Sequence, residues 1–348
     1  MKKTSLFRAT LAAFAIGFMA TSCGNGQTAN LPTNKKEIMD AFKAGTLPSS
    51  YAPAAFFVHF DRDHKAGDAA VNAHLQYLLN TNADILKVQF EQYVERIPNL
   101  DKQETWDSIK PIPEDYYRPT VEIIKQIQEC VGRDIYVMPT VYSAYQVARQ
   151  SLRDENIAKA AVERPEDLKR VLNYYLKALE WFVKECKSVG IEGFYMTTQG
   201  GEMKYNSIPG FFEDIIKPLD LQLMQLMQQD SKLTILHICD WEGTYDDLSK
   251  YVDYPGDIVN TPLHLNGTPF TLTDGEKLFG RPVLGGLKKE ETIIKGSADD
   301  VTKAVEEILA NSPQGRVMIG ADCTVSAAPI ENIHAAVSAA HHNSLSTK

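Results

Sequence analysis

Along this chain, short runs of apolar, β-branched or aromatic residues alternate with longer segments in which apolar positions recur every three or four residues. Eight runs of the first kind occupy residues 54–60, 85–90, 135–139, 193–197, 233–238, 258–261, 282–286 and 317–321. Their length and composition predict buried strands. The clearest segment of the second kind is 165–189, where Leu172, Tyr175, Leu176, Leu179, Phe182, Val183 and Cys186 fall on one helical stripe, Pro165 opens the helix and Gly190 closes it. Helices are also predicted over 68–79, 114–131, 210–229, 298–310 and 329–340, with shorter ones near 245–252 and 273–278.

Eight strands each followed by a crossover predict a (β/α)8 barrel in one domain over residues 46–345. An open doubly wound sheet is the alternative. The barrel is favoured because the strand count closes at eight and the helices are wholly amphipathic, with no long charged insertion. No repeat or linker divides the chain, which makes one domain the simplest reading. In such a barrel the active site lies at the C-terminal strand ends. Those ends carry Arg62, Asp63, Gln89, Glu91, Tyr142, Tyr145, Thr198, Gln199, His237, Cys239, His264, Lys288, Asp322 and Cys323.

Within that ring the run 233–240 stands out because it ends in His237-x-Cys239. Residues i and i+2 of a strand point to the same side, so one nitrogen and one sulfur share a direction while Ile238 packs the other way. Cys323, 323 − 239 = 84 residues further on, ends another apolar run. Three protein ligands with an open fourth position is how catalytic zinc is held. Two other readings stay open: a Cys239–Cys323 disulfide, which strands five and eight disfavour by not being neighbours, and buried thiols beside a satisfied histidine. Asp240 or Asp322 is placed to orient His237.

The remaining candidates divide between substrate contacts and plain structure. Arg62, at the mouth, suits an anionic group, Gln89 and Gln199 suit hydrogen bonds to substrate, and Tyr142 and Tyr145 suit a pocket wall. Cys130 and Cys186 read as small buried hydrophobes. His59 reads as a strand residue, His64 as a loop residue and His74 as a helix-surface residue. His334, His341 and His342 read as solvated, and 288–291 as a solvated helix start.

The chain starts with Lys2, Lys3 and Arg8, an apolar run over 9–20 too short to span a bilayer, and small residues before Cys23. This resembles a bacterial lipoprotein leader. It implies a leader over 1–22, a lipid on Cys23, a tether over 23–45 and an exported protein held at a membrane by that lipid alone. A retained N-terminal helix is the alternative. Losing those three cations takes the formal charge from −9 to −12. An acidic chain without a basic stripe excludes nucleic acid as the expected partner.

Several stretches resemble the uroporphyrinogen decarboxylase superfamily, which also holds zinc-dependent methyltransferases acting with coenzyme M and corrinoid proteins. They are 190–201 with its Thr-Thr-Gln-Gly-Gly turn, Phe211-Phe-Glu-Asp, Ile216-Lys-Pro-Leu, Leu284-Gly-Gly-Leu287, and Gly320-Ala-Asp-Cys-Thr-Val followed by Pro329-Ile-Glu-Asn-Ile333. The decarboxylase pattern implies catalytic roles at Arg62, Gln89, Tyr145 and Thr198. However, Asp68 stands where a second arginine belongs, Gln89 where an aspartate belongs and Ala321 where a histidine belongs. The methyltransferase branch carries His-x-Cys and a distant cysteine, matched by His237, Cys239 and Cys323. The resemblance thus implies a zinc cofactor and a small-molecule substrate: a thiol, a methyl donor or a tetrapyrrole-like compound. The implied reaction is methyl transfer; a decarboxylase of another carboxylated substrate and a non-catalytic tetrapyrrole or corrinoid carrier are the alternatives. A homodimer is compatible with it.

Overall fold

A computed structural model describes residues 34–342. The leader reading and Cys23 lie outside the described residues. Strands β1 (Ile85–Val88), β2 (Tyr136–Tyr142), β3 (Gly193–Thr198), β4 (Leu233–Ile238), β5 (Ile258–Asn260), β8 (Val283–Leu287) and β9 (Val317–Ala321) form one parallel sheet in the order β1-β2-β3-β4-β5-β8-β9. A two-stranded hairpin, β6 (His264–Leu265) with β7 (Thr268–Pro269), sits between β5 and β8. The segment before β1 joins the two edges of the curled sheet. Ala54 bridges Ile319 in β9, Ala55 N–H donates to Ile319 O (2.9 Å), and Asp84 N–H donates to Ala54 O (2.9 Å).

The helices in chain order are α1 (Lys35–Ala44), α2 (Gly67–Thr81), α3 (Gln103–Ser108), α4 (Arg118–Val131), α5 (Ala144–Leu152), α6 (Asp154–Glu163), α7 (Pro165–Ser188), α8 (Lys217–Gln228), α9 (Leu272–Phe279), α10 (Thr292–Lys295), α11 (Ala298–Ala310) and α12 (Ile330–His341). In α7, Pro165 stands in the first turn with Glu166 and Asp167, and Lys187 stands in the last, matching the helix dipole at both ends. Ser297 and Thr271 close capping boxes with Asp300 and Asp274 at the starts of α11 and α9. No helix among the described residues is long and apolar enough to cross a membrane.

The strand pleat sorts residues into two layers. Leu86, Val88, Val137, Val141, Phe194, Met196, Leu236, Ile238, Val317 and Ile319 face the helices. Ile85, Tyr136, Met138, Tyr195, Leu233, Ile235, Ile258, Leu284 and Met318 form a second cluster inside the curl. Ile38, Met39 and Phe42 of α1 join that inner cluster, and Lys36 N–H donates to Asp134 O just before β2. Helix α1 therefore plugs the N-terminal end of the sheet.

Within the tether expected over 23–45, the described residues correct the expectation at Lys35–Ala44, which is helix. The apolar positions Ile38, Met39 and Phe42 fall on one helical face under an Asn34 cap. The helix expected over 245–252 is only a 3-10 turn, Ser249–Tyr251. Helices α5 and α6 were not anticipated, because their apolar positions lie in a stretch also rich in Arg, Gln and Glu.

Candidate metal centre

The inward-facing series on each strand runs upward from the apolar cluster into polar side chains. On β4, Leu233 and Ile235 are followed inward by His237, 3% exposed, and then by Cys239 just past the strand. Cys323 stands two residues past the end of β9 and is 5% exposed. The ligand atoms of His237, Cys239 and Cys323 all lie within 4.8 Å of one another. Cys239 Sγ is 3.9 Å from Cys323 Sγ, which is 3.7 Å from His237 Nε2. Among the described residues no other group of three or more His, Cys, Asp or Glu side chains converges in this way.

These edges can be compared with those a tetrahedral ion requires. With Zn–S near ~2.3 Å and Zn–N near ~2.0 Å, tetrahedral edges are about 3.8 Å between sulfurs and about 3.5 Å from sulfur to nitrogen. The observed 3.9 and 3.7 Å match both. A disulfide needs its sulfurs about 2.05 Å apart, and Cys239 and Cys323 are not joined by one. Although β4 and β9 are not neighbours in the sheet, the two sulfurs lie 3.9 Å apart. Both cysteines lie beyond their strands, where side chains converge over the sheet's axis.

The thiols share their charge unevenly. The hydrogen bond between them holds Cys323 well below the ordinary thiol range and Cys239 well above it. His237 stacks on Tyr195 with ring centroids 5.4 Å apart. Its Nδ1 is buried without a partner, so neither Asp240 nor Asp322 orients it. Both carboxylates turn to Lys289 instead. Its Nζ lies 2.8 Å from Asp240 Oδ1 and 3.4 Å from Asp322 Oδ2, and its backbone N–H donates to Asp322 Oδ1 at 2.8 Å. Lys288, its neighbour, pairs with Glu291 at 3.1 Å.

Around the three ligand candidates lie residues that reasoning from sequence passed over. Lys87 follows Ile85 on the inward face of β1, with its ammonium 5.3 Å from the Phe57 ring centroid and 5.5 Å from that of Tyr195. Burial pushes its pKa down to about 8, against the opposing pull of Cys323, Glu91 and Cys239. The signal was present: a lysine at an inward position of the short strand Ile-Leu-Lys-Val. Burial and the acidic neighbours Tyr93, Cys239, Glu91 and Cys323 push the Tyr142 hydroxyl well up.

Other expected site residues are placed elsewhere. Thr198 sits on the outer face of β3 with Phe194 and Met196, and its hydroxyl donates to Asp220 Oδ2 (2.5 Å) in α8. The pleat, by turning 197 inward, turns 198 out. Gln89 is spent on the segment before α2: its Oε1 accepts from Phe60 N–H at 2.8 Å and its Nε2 donates to His64 O at 3.4 Å. Tyr145 is buried with its hydroxyl 2.5 Å from that of Tyr205. Arg62 is exposed on the turn Arg62–His64. His74, read as a surface residue, is 2% exposed; it donates from Nδ1 to Ala70 O (2.7 Å) and accepts from Gln89 N–H (3.2 Å).

No family profile matches the sequence, and no curated protein matches it. Solved structures do match in shape. A methyltransferase from Methanosarcina mazei superposes with a TM-score of 0.70 at 15% identity, covering 88% of this chain and 98% of that one. A B12-independent methionine synthase from Shewanella sp. W3-18-1, determined in complex with selenomethionine, gives a TM-score of 0.51 at 13% identity over 84% of this chain and 93% of that one. At such identities the likeness is one of fold, and it agrees with the barrel-type fold expected from the sequence.

Proposed function

We propose that this chain is a zinc-dependent methyl-transfer enzyme built on a (β/α)8 barrel. The observation that carries this reading is the convergence of His237, Cys239 and Cys323 within 4.8 Å of one another, with the two edges at Cys323 near tetrahedral lengths. The shared fold with a methyltransferase supports it. His237 Nε2, Cys239 Sγ and Cys323 Sγ would hold the ion, leaving one position for substrate. Bound zinc supplies Lewis acidity that keeps an incoming thiol deprotonated and nucleophilic near neutral pH. Two thiolates and a neutral imidazole bring the centre to zero net charge. Lys87, with its ammonium over the adjacent Phe57 and Tyr195 rings, adds a positive charge in the same chamber. The buried Tyr195 and Phe57 rings restrict water there.

The test is metal content. Protein purified without chelator is expected to carry one zinc per chain by elemental analysis, and a Cys239→Ser, Cys323→Ser variant none. Wild-type protein with no metal, even after incubation with zinc, would sink the proposal. The metal-free decarboxylase and the carrier would then be left as readings.

The leader reading belongs to the same proposal: the mature protein starts at a lipidated Cys23 and works on the outer side of a membrane. Expression in a bacterial host should yield an N-terminal peptide carrying a diacylglyceryl mass on Cys23, lost in Cys23→Ser. An N-terminal peptide that still contains residues 2–22 would refute this part alone.

A further inference from the structure

Gln199, expected to touch substrate, has both ends of its side-chain amide engaged. Arg149 Nη1 lies 2.6 Å from Gln199 Oε1, and Gln199 Nε2 lies 3.5 Å from Cys239 Sγ. A guanidinium only donates, so the amide atom facing Arg149 must be the oxygen. The NH2 end is thereby turned to the sulfur. Its orientation is forced by a cation and does not depend on how the amide was placed.

Arg149 is itself held in one pose. Its Nε lies 2.5 Å from Asp154 Oδ1 and its Nη2 lies 2.9 Å from Glu242 Oε1, while Lys204 takes the other Asp154 oxygen at 2.6 Å. The network joins α5 and the start of α6, after β2, to the segments after β3 and β4 over one side of Cys239. The loop around Cys239 is pinned as well: its N–H donates to Thr198 O (3.1 Å) and its carbonyl accepts from Tyr245 Oη (2.8 Å). Gln199 is 1% exposed, so no water replaces its N–H at the sulfur.

We infer that Gln199 is a positioning residue for the metal centre: Arg149 orients it to give an N–H···S hydrogen bond to Cys239, fixing that sulfur's direction and its electron density as a ligand. The geometry stands on the contacts alone, and its consequence for metal rests on the proposed function. Because the relay ends at Glu242 in the loop after β4, that loop's position is linked to one ligand. Donors around a ligand atom set its orientation and basicity, and losing one weakens metal binding by roughly 10- to 100-fold.

The experiment uses the full chain. Gln199→Glu keeps the volume and still accepts from Arg149, but it puts an oxygen where the N–H donor was; Gln199→Leu removes both contacts. Zinc transfer to a chromogenic chelator should show affinity about 10-fold or more weaker in both variants. The thiolate-to-metal charge-transfer band of the cobalt-loaded protein should shift in energy. A residue that merely fills space or anchors Arg149 would leave Gln199→Glu near wild type. Affinity within about twofold of wild type and an unmoved band in folded Gln199→Glu would overturn the inference, whatever Gln199→Leu does.

Should the wild type hold no metal, the proposed function fails, and the contact is still read directly. The Gln199 side-chain NH2 resonance, assigned by its loss in Gln199→Leu, should move in Cys239→Ala. A resonance that stays put overturns the contact whether or not metal binds.

Discussion

Asp84→Ala is expected to lower the stability of the fold by about 3–5 kcal/mol at pH 7, measured by denaturant unfolding. Asp84 is wholly buried beneath the sheet, where it accepts from Tyr51 Oη (2.7 Å) and Ala54 N–H (2.7 Å) and meets His341 Nε2 at 2.8 Å and Lys35 Nζ at 3.4 Å. It thus ties α1, the first strand segment, β1 and α12 together at one carboxylate. Removing it leaves several donors buried without an acceptor.

Burial alone would raise this carboxyl, but Lys35 and His341 outweigh that and hold it at about 2 against an ordinary 3.8. A folded pKa below the unfolded one adds stability that is complete above about pH 4–5 and is lost as pH falls toward 2. The linked contribution is about 2 kcal/mol. Wild type should therefore lose stability across that acid window while Asp84→Asn, lacking the carboxylate, loses less. An Asp84→Ala cost below about 1 kcal/mol would refute the account.

Lys87→Met is expected to move stability and ligand binding in opposite directions. In metal-free protein the buried ammonium is held at about 8 against an ordinary 10.5. The charged form is therefore disfavoured on folding, and the penalty is full below pH 8 and fades as pH rises to 10.5. The side chain keeps some contact with solvent, which discounts the shift to ~2 kcal/mol. Methionine fills a similar volume without charge, so the variant should be more stable by that amount at pH 7 and by nothing at pH 10.5. In the cobalt-loaded form the variant should bind a test thiol such as mercaptoacetate about tenfold more weakly, read by the charge-transfer band. A Lys87→Met protein that is less stable at pH 7 would show that the ammonium has a partner this reading lacks.

Much of this protein was legible in its sequence. The eight apolar runs correspond to the seven strands of the parallel sheet and to the segment at Ala54 that bridges β9. They were readable because a strand buried on both sides must be apolar almost throughout. The stripe of α7 was readable for the equivalent reason at helical period. His237 and Cys239 were readable as a pair because the pleat puts i and i+2 on one side.

Tertiary structure decided what local pattern does not encode. Cys323 reaches Cys239 from 84 residues away only because the sheet curls and both cysteines stand beyond their strand ends. Thr198 and Gln199 are adjacent and both polar, yet one is turned to Asp220 and the other to Cys239. A polar residue at a strand end has two faces open to it, and which one applies depends on where the helix behind it lands. In sequence His341 reads as solvated at the end of the last helix and Lys35 falls within the expected tether, yet both close on Asp84 from opposite ends of the chain. Periodicity along a chain determines which residues are buried and on which side. Which charge finds which partner is set by long-range distances that exist only once the sheet has closed on itself.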